Sequence, residues 1–192
     1  MSYEKKDFGG LIGMNGLSEK LLANHFALYE GYVKHAISLL EKIPSLGESQ
    51  EYDELKRRFG WEWNGMRLHE LYFENLSKES SEHQLGSTLD MQFIKDFGSH
   101  LNWDKDIKAM SKIRGIGWVV VYYDKQSDKL MNTWINEHDT GHLSGCEPIV
   151  VIDFFEHAYM LDYGKEKGDY LNVVISHLNW TVIEDRMNKA KK

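Results

Sequence analysis

Histidine and acidic side chains supply most of the chemistry that this sequence can carry. The 192 residues include nine histidines but a single cysteine, Cys146. Imidazole and carboxylate groups suit iron, manganese or zinc, whereas a thiolate zinc site would need several cysteines. The nine histidines are His25, His35, His69, His83, His100, His138, His142, His157 and His177. Their positions in the predicted elements decide which of them are candidates.

Two histidines fall on the apolar faces of predicted helices. His25 lies between Leu21 and Leu28 in an apolar stripe with three- and four-residue spacing, and His69 lies on the inner face of the next helix. A buried imidazole needs a partner at each nitrogen. Two inward histidines on facing helices are therefore either a metal site or core histidines satisfied by hydrogen bonds.

A third candidate region follows a short apolar run. The sequence PIVVID (148–153) is typical of a buried strand, and it ends in Asp153, with His157 four residues later. Burying an unpaired carboxylate is costly, so Asp153 requires a cation or a salt bridge. Three imidazoles and one carboxylate would suit Fe, Mn or Zn. Four other histidines are predicted not to be ligands: His83, His100, His142 and His177.

The first half of the chain predicts the elements that position His25 and His69. Ser18 is a plausible N-cap for a helix that runs to about Ile43 and is stopped by Pro44. A second helix is predicted over roughly residues 53–77. The loop between them is short, so the two helices are expected to form an antiparallel hairpin.

The second half predicts an α/β unit. A polar segment at 78–90 marks a domain boundary, which predicts a helical domain over residues 1–83 and an α/β domain over residues 84–192. The patterns in the second domain predict, in order, a helix over 91–113, strands over 117–124, 129–138 and 148–153, and a helical region over 154–188. The predicted fold class is α+β with a small, three-stranded antiparallel sheet.

Composition excludes several classes of function. The chain is 42% hydrophobic, which argues against disorder, and no apolar run approaches the ~20 residues of a membrane helix. A net charge of -7 disfavours binding of nucleic acid through a broad basic face. The single cysteine and the absence of an apolar stretch in MSYEKKDFGG predict a cytoplasmic protein.

The segment IDFFEHAYMLDY (152–163) resembles the signature D-x-W-E-H-A-Y-x-L-D-Y of the iron/manganese superoxide dismutase family. Further segments resemble other parts of that family in the same order along the chain. These are HFALYEGYV (25–33), LHELYFENLS (68–77), RGIGWVVVYYD (114–124) and NWTVIEDR (179–186). The resemblance covers nearly the whole chain, and it agrees with a helical hairpin followed by an α/β domain.

The resemblance implies a site, a reaction and an assembly. The reaction is conversion of superoxide to O2 and H2O2 by alternating M(III)/M(II) chemistry at one Fe or Mn ion per subunit. The assembly is a homodimer, with a tetramer possible. The implied ligands are His25, His69, Asp153 and His157; Tyr32 is the gateway tyrosine, His138 the outer-shell group, Trp118 and Trp134 the aromatic wall, and Glu156 and Tyr159 the interface residues.

The chain departs from the family pattern at three positions. Six residues rather than seven separate His25 from Tyr32, Tyr29 or Leu28 stands in place of the family's interface histidine, and Phe155 replaces the signature tryptophan. On a helix, residues seven and eight apart both return to the same face, so His25 remains the predicted ligand.

Two alternatives remain open from the sequence. Non-haem iron oxygen chemistry also uses histidine and carboxylate ligands, but its triad has two histidines and leaves more open positions, so a fourth protein ligand argues against it. A non-catalytic dismutase-like protein would keep a structural metal or bind a partner.

The anionic substrate that the resemblance implies also needs local positive charge, for which Lys34 and Arg186 are candidates. The sequence does not distinguish iron from manganese.

Overall fold

The computed structural model describes residues 3–79 and 81–192. Two long helices come first, followed by shorter helices around a three-stranded sheet. In chain order the elements are α1 (Glu19–Lys42), α2 (Gln50–Glu74), α3 (Thr88–Phe97), α4 (His100–Met110), β1 (Gly117–Asp124), β2 (Lys129–Asn136), β3 (Glu147–Asp153), α5 (Glu156–Tyr163), α6 (Lys167–Ser176) and α7 (Trp180–Lys191). The predicted α+β fold class is confirmed.

The first two helices begin at serine caps. The Ser18 hydroxyl accepts a hydrogen bond from the Leu21 amide, and α1 ends at Lys42, ahead of Pro44. Ser49 caps α2 in the same way, so this helix starts three residues earlier than the predicted Asp53. The two helices pack against each other along their apolar faces, which brings the stripe with His25 toward α2.

Two predicted helices are in fact interrupted. The pattern over 91–113 predicted one helix, but α3 ends at Gly98, whose φ of 80° is left-handed, and Ser99 caps α4. The region 154–188 is likewise three helices, separated at Gly164, with a φ of 54°, and at the cap residue Asn179. In both regions the apolar spacing continues across the break, so periodicity alone does not reveal it.

The sheet is antiparallel with strand order β2-β1-β3. β1 is central and almost entirely buried, which explains its unbroken run of apolar residues. In the register between β1 and β3, Trp118 pairs with Asp153. The last residue of β3 therefore lies beside Trp118, the second residue of β1.

Two other expectations concern the whole chain. None of the helices in the described ranges is long and apolar enough to cross a membrane. The division into domains 1–83 and 84–192 falls in the loop between α2 and α3, and it stays a prediction.

Candidate metal centre

Four side chains from three helices and one strand converge inside the molecule. His25 on α1, His69 on α2, Asp153 at the end of β3 and His157 on α5 each offer one donor atom, and these atoms all lie within 4.8 Å of one another. The Nε2 atoms of the three histidines lie 3.1, 3.7 and 3.2 Å, respectively, from Asp153 Oδ2. The first three side chains are fully buried, and that of His157 is 21% exposed.

The unsatisfied nitrogen of His69 tests whether a metal fits this cluster. His69 Nδ1 lies 2.6 Å from the Gly65 carbonyl oxygen, which accepts its proton and leaves a lone pair on Nε2. Among the described residues, the buried Nε2 has no hydrogen-bond partner. A buried, unpartnered lone pair aimed at a carboxylate is costly in a core, and a cation between them removes the cost.

The backbone orients Asp153. Its Oδ1 accepts a hydrogen bond of 2.7 Å from the Phe155 amide, and its own carbonyl oxygen accepts one of 2.8 Å from the Tyr170 hydroxyl. Tyr72 contacts the Tyr170 hydroxyl in turn, at 3.0 Å. These bonds hold the carboxylate so that Oδ2 alone faces the three imidazoles.

The protonation states at the cluster are those that metal binding requires. Burial alone would raise the pKa of Asp153, but His157 and His25 hold it well below its ordinary value. Burial lowers the pKa values of His25 and His69. The site therefore presents an ionised carboxylate and, at His25 and His69, neutral imidazoles, which are hard-to-borderline donors suited to iron or manganese.

A second layer of hydrogen bonds lies against the cluster. The Trp118 indole N–H donates to His138 Nδ1 at 3.0 Å, and His138 Nε2 lies 2.8 Å from the Tyr32 hydroxyl oxygen. An indole nitrogen is only a donor, so Nδ1 accepts and the neutral imidazole carries its proton on Nε2. His138 thus donates to Tyr32, and the Tyr32 O–H remains free to donate elsewhere.

Burial tunes both members of this pair. It lowers the pKa of His138 to about 4, so this imidazole is neutral at physiological pH. It also raises the pKa of Tyr32 well above the usual value, with Asp153 adding to the effect, so the phenol keeps its proton. The pair can therefore hold and offer a proton beside the cluster.

The shortened spacing between His25 and Tyr32 is accommodated by glycine on α2. The Tyr32 ring stacks on His69, with ring centres 5.1 Å apart. A Cβ at Gly65 would lie 2.7 Å from the Tyr32 ring, so only glycine admits this approach. Both His25 and Tyr32 contact His69 on α2, each with ring centres 5.1 Å apart, although only six residues separate them.

Several other predicted residues lie elsewhere. Trp118 contacts His69, with ring centres 5.0 Å apart, but Trp134 pairs with Val119 and so lies on the opposite face of the sheet. Phe155 forms the wall instead, stacked on His138 at 4.5 Å. Arg186 is held internally by Glu74 and by the Asn75 side chain, so it does not supply free positive charge.

Three neighbours of the site were not predicted. The Trp61 ring lies 4.5 Å from that of His138, and its indole N–H donates to Glu137. His142 bridges the His138 carbonyl oxygen and the Tyr122 hydroxyl. Trp61 lies eight residues before His69, which puts it close to the same helix face, and this spacing was the available clue.

Comparison with known proteins agrees with this geometry. A family model described as iron/manganese superoxide dismutases, C-terminal domain, matches residues 84–186. An iron superoxide dismutase from Cupriavidus metallidurans is 32% identical, over 94% of this chain and 93% of its own length. A manganese superoxide dismutase from Haloferax volcanii is 30% identical, over 91% and 88%. One from Aquifex aeolicus, named for iron, is 30% identical over 93% and 88%.

Proposed function

Because the chain belongs to the iron/manganese superoxide dismutase family, we propose that it converts superoxide to O2 and H2O2 at the cluster of three histidines and one aspartate. The observation that carries the proposal is the approach of three imidazole nitrogens to the single oxygen Asp153 Oδ2. The relatives favour an enzyme over the non-catalytic alternative, since superoxide dismutases about 30% identical match this chain over more than nine-tenths of its length.

We assign the four donor residues to one iron or manganese ion per chain. His25, His69, Asp153 and His157 would hold it through one atom each. When bound, the ion supplies the two one-electron transfers by alternating between trivalent and divalent states. Four protein donors are fewer than the five or six that these metals accept, so the site keeps room for a small ligand.

Tyr32 and His138 have the role of holding a proton beside that open side. Forming H2O2 from superoxide consumes two protons, so a donor must lie close to the reacting oxygen. The Tyr32 hydroxyl is a neutral phenol whose oxygen accepts from His138 Nε2, which leaves its proton to be donated. Phe155 and Trp118 exclude bulk water from the inner side of the pair.

Elemental analysis combined with a superoxide assay tests this proposal. The purified protein should contain close to one equivalent of iron or manganese per chain and should dismutate superoxide. His69→Ala should lose both the metal and the activity, because its nitrogen has no substitute nearby. Full metal occupancy in that variant would contradict the ligand assignment, and a wild-type protein without metal and activity would support the non-catalytic alternative.

We further propose that a second copy of the chain covers the apolar surface beside His157. This patch forms a depression lined by α1 and α5, in which Leu28, Met160 and Leu161 are 42%, 50% and 51% exposed. The exposed Glu156 lies at its edge. An exposed apolar patch of this kind is typical of an interface. Tyr159 is buried against Tyr170 within the same chain, so of the two predicted interface residues Glu156 is the better candidate.

Sedimentation or light scattering measures this assembly directly. The wild-type protein should be a dimer, or a tetramer that contains this contact, and Leu161→Glu should shift it toward the monomer. A matched change of a similarly exposed residue, Leu101→Glu on α4, should leave the assembly intact. A wild-type monomer would contradict the proposal.

A cytoplasmic location, which the single Cys146 favours, is testable by cell fractionation.

A further inference from the structure

Arg58, on the solvent side of α2, lies over the Tyr32–His138 pair. Its guanidinium carbon is 3.8 Å from the centre of the Trp61 ring. That ring lies 5.5 Å from the ring of Tyr32 and 4.5 Å from the ring of His138. A single indole therefore separates the positive charge of Arg58 from both members of the pair.

The hydrogen-bonding capacity of Arg58 is largely unused. Its Nε donates to Glu62 Oε1 at 2.8 Å, which fixes the orientation of the planar group. Its two terminal amino groups make no hydrogen bond within the described part of the chain, and the side chain is 51% exposed. A fixed guanidinium with free N–H groups is the side chain best suited to receive a small anion.

Carboxylates surround this position, which makes the cation important. Glu62 is only 4% exposed, and its Oε2 has no hydrogen-bond partner among the described residues. Glu137 lies on the other side of Trp61, bound to the indole N–H at 3.1 Å. Both carboxylates raise the pKa of Tyr32, whereas Arg58 lowers it. Without Arg58, an arriving anion would meet two negative charges in a protein that already carries a net charge of -7.

We propose that Arg58 receives small monovalent anions, superoxide included, on the outer side of Trp61, one ring away from Tyr32 and His138. The inference rests on the proposed function, and it adds the residue that brings the anionic substrate to the site. Of the two cations that the sequence suggested, Lys34 and Arg186, the latter is held by Glu74 and Asn75. Removal of one charge near an entrance lowers the local anion concentration, and salt screens the effect.

Azide binding tests the inference without relying on turnover. Azide is a small monovalent anion whose binding to the metal-loaded protein is followed by absorbance. Arg58→Gln is compared with Arg57→Gln, which makes the same change of net charge at the neighbouring residue, 73% exposed and paired with Glu54. We expect Arg58→Gln to weaken azide binding and to lower kcat/KM by about three- to tenfold relative to Arg57→Gln at low ionic strength. The difference should shrink at high salt.

Glu62→Gln provides a test of opposite sign. Its amide oxygen can still accept from Arg58 Nε, while the negative charge is lost, so azide should bind more tightly. Equal azide affinity in the two arginine variants, or no gain in Glu62→Gln, would overturn the inference. Those results are distinct from failure of the proposed function, in which the wild-type protein itself would hold no metal or would not dismutate superoxide.

Discussion

Two regions of the molecule contain histidines beside a buried aspartate, and only one of them gathers its donor atoms. At the metal centre, three imidazole nitrogens point at Asp153 Oδ2. Near α3 and α4, His83 and His100 stack face to face, with ring centres 4.4 Å apart and planes inclined by 13°. The nitrogens of these two rings do not converge on one oxygen: His83 Nε2 lies 2.9 Å from Asp90 Oδ1, and His100 Nε2 has no hydrogen-bond partner among the described residues.

The carboxylates differ in the same way. Asp90 accepts from the Gly86 amide with one oxygen and contacts His83 with the other, so both oxygens have protein partners. Asp153 has one oxygen on an amide and the other facing three imidazoles. Among the described residues, no group of three potential metal ligands forms around His83 and His100. The direction of the donor atoms, rather than the residue types, distinguishes a metal site from a core.

The largest expected effect comes from removing each aspartate. Asp153→Ala should reduce the metal content to less than about a tenth of the wild-type value, because it removes the only charged donor. Asp90→Ala should keep the metal and lower the free energy of unfolding by about 1–3 kcal/mol, through its lost hydrogen bonds. Metal analysis and denaturant unfolding measure the two effects. Metal loss in both variants would mean that the regions are not distinct.

A smaller effect is expected from Gly65→Ala. The added Cβ would lie 2.7 Å from the Tyr32 ring, so the ring must move away from His69. Turnover should fall by about 100-fold while the metal is retained, because misplacing a group near the reaction is costly. The matched control is Gly60→Ala on the same helix, where a Cβ has open space, and it should raise the free energy of unfolding by about 0.5–1 kcal/mol. Unchanged turnover in Gly65→Ala would remove Tyr32 from the site's function.

Tyr32→Phe isolates the hydroxyl from the position of the ring. The ring should stay stacked on His69, so the metal content should not change. Turnover should fall by about tenfold. This loss is smaller than that expected on removing most positioned proton donors, because water can also supply protons. Stopped-flow kinetics measures this rate and any change in inhibition by the product. An unaltered rate would leave the Tyr32–His138 bond with a purely structural role.

The smallest effect concerns stability against pH in the metal-free protein. The pKa of His138 is about 4 in the fold and about 6.5 in an unfolded chain. Between these values the unfolded state binds the proton, so stability falls as the pH drops from 6.5 toward 4. His138→Gln should remove about 2 kcal/mol of that loss at pH 5. Denaturant unfolding of the wild-type protein and the variant at pH 7 and pH 5 measures the difference. An equal loss of unfolding free energy between the two pH values in both proteins would contradict the prediction.

The sequence predicted that the four side chains of the candidate metal centre lie together because their burial had a local explanation. His25 and His69 lie on apolar helix faces, and Asp153 ends a buried strand, so their burial could be predicted from periodicity alone. The face of Trp134 could not, because it depends on the register of β2 against β1. Arg58 was missed because its neighbours come from α2 and the loop after β2, which only the folded chain brings together.

The amide of Phe155 has a consequence for how many oxygens Asp153 can give to an ion. Since Oδ1 accepts from that main-chain donor and Oδ2 faces the three imidazoles, the carboxylate is oriented to bind through Oδ2 alone. A chelating aspartate would raise the number of protein donors from four to five and reduce the room left for superoxide. A single peptide N–H thus limits the denticity of the one anionic ligand, and substitutions of residue 155 that preserve the backbone should preserve that room.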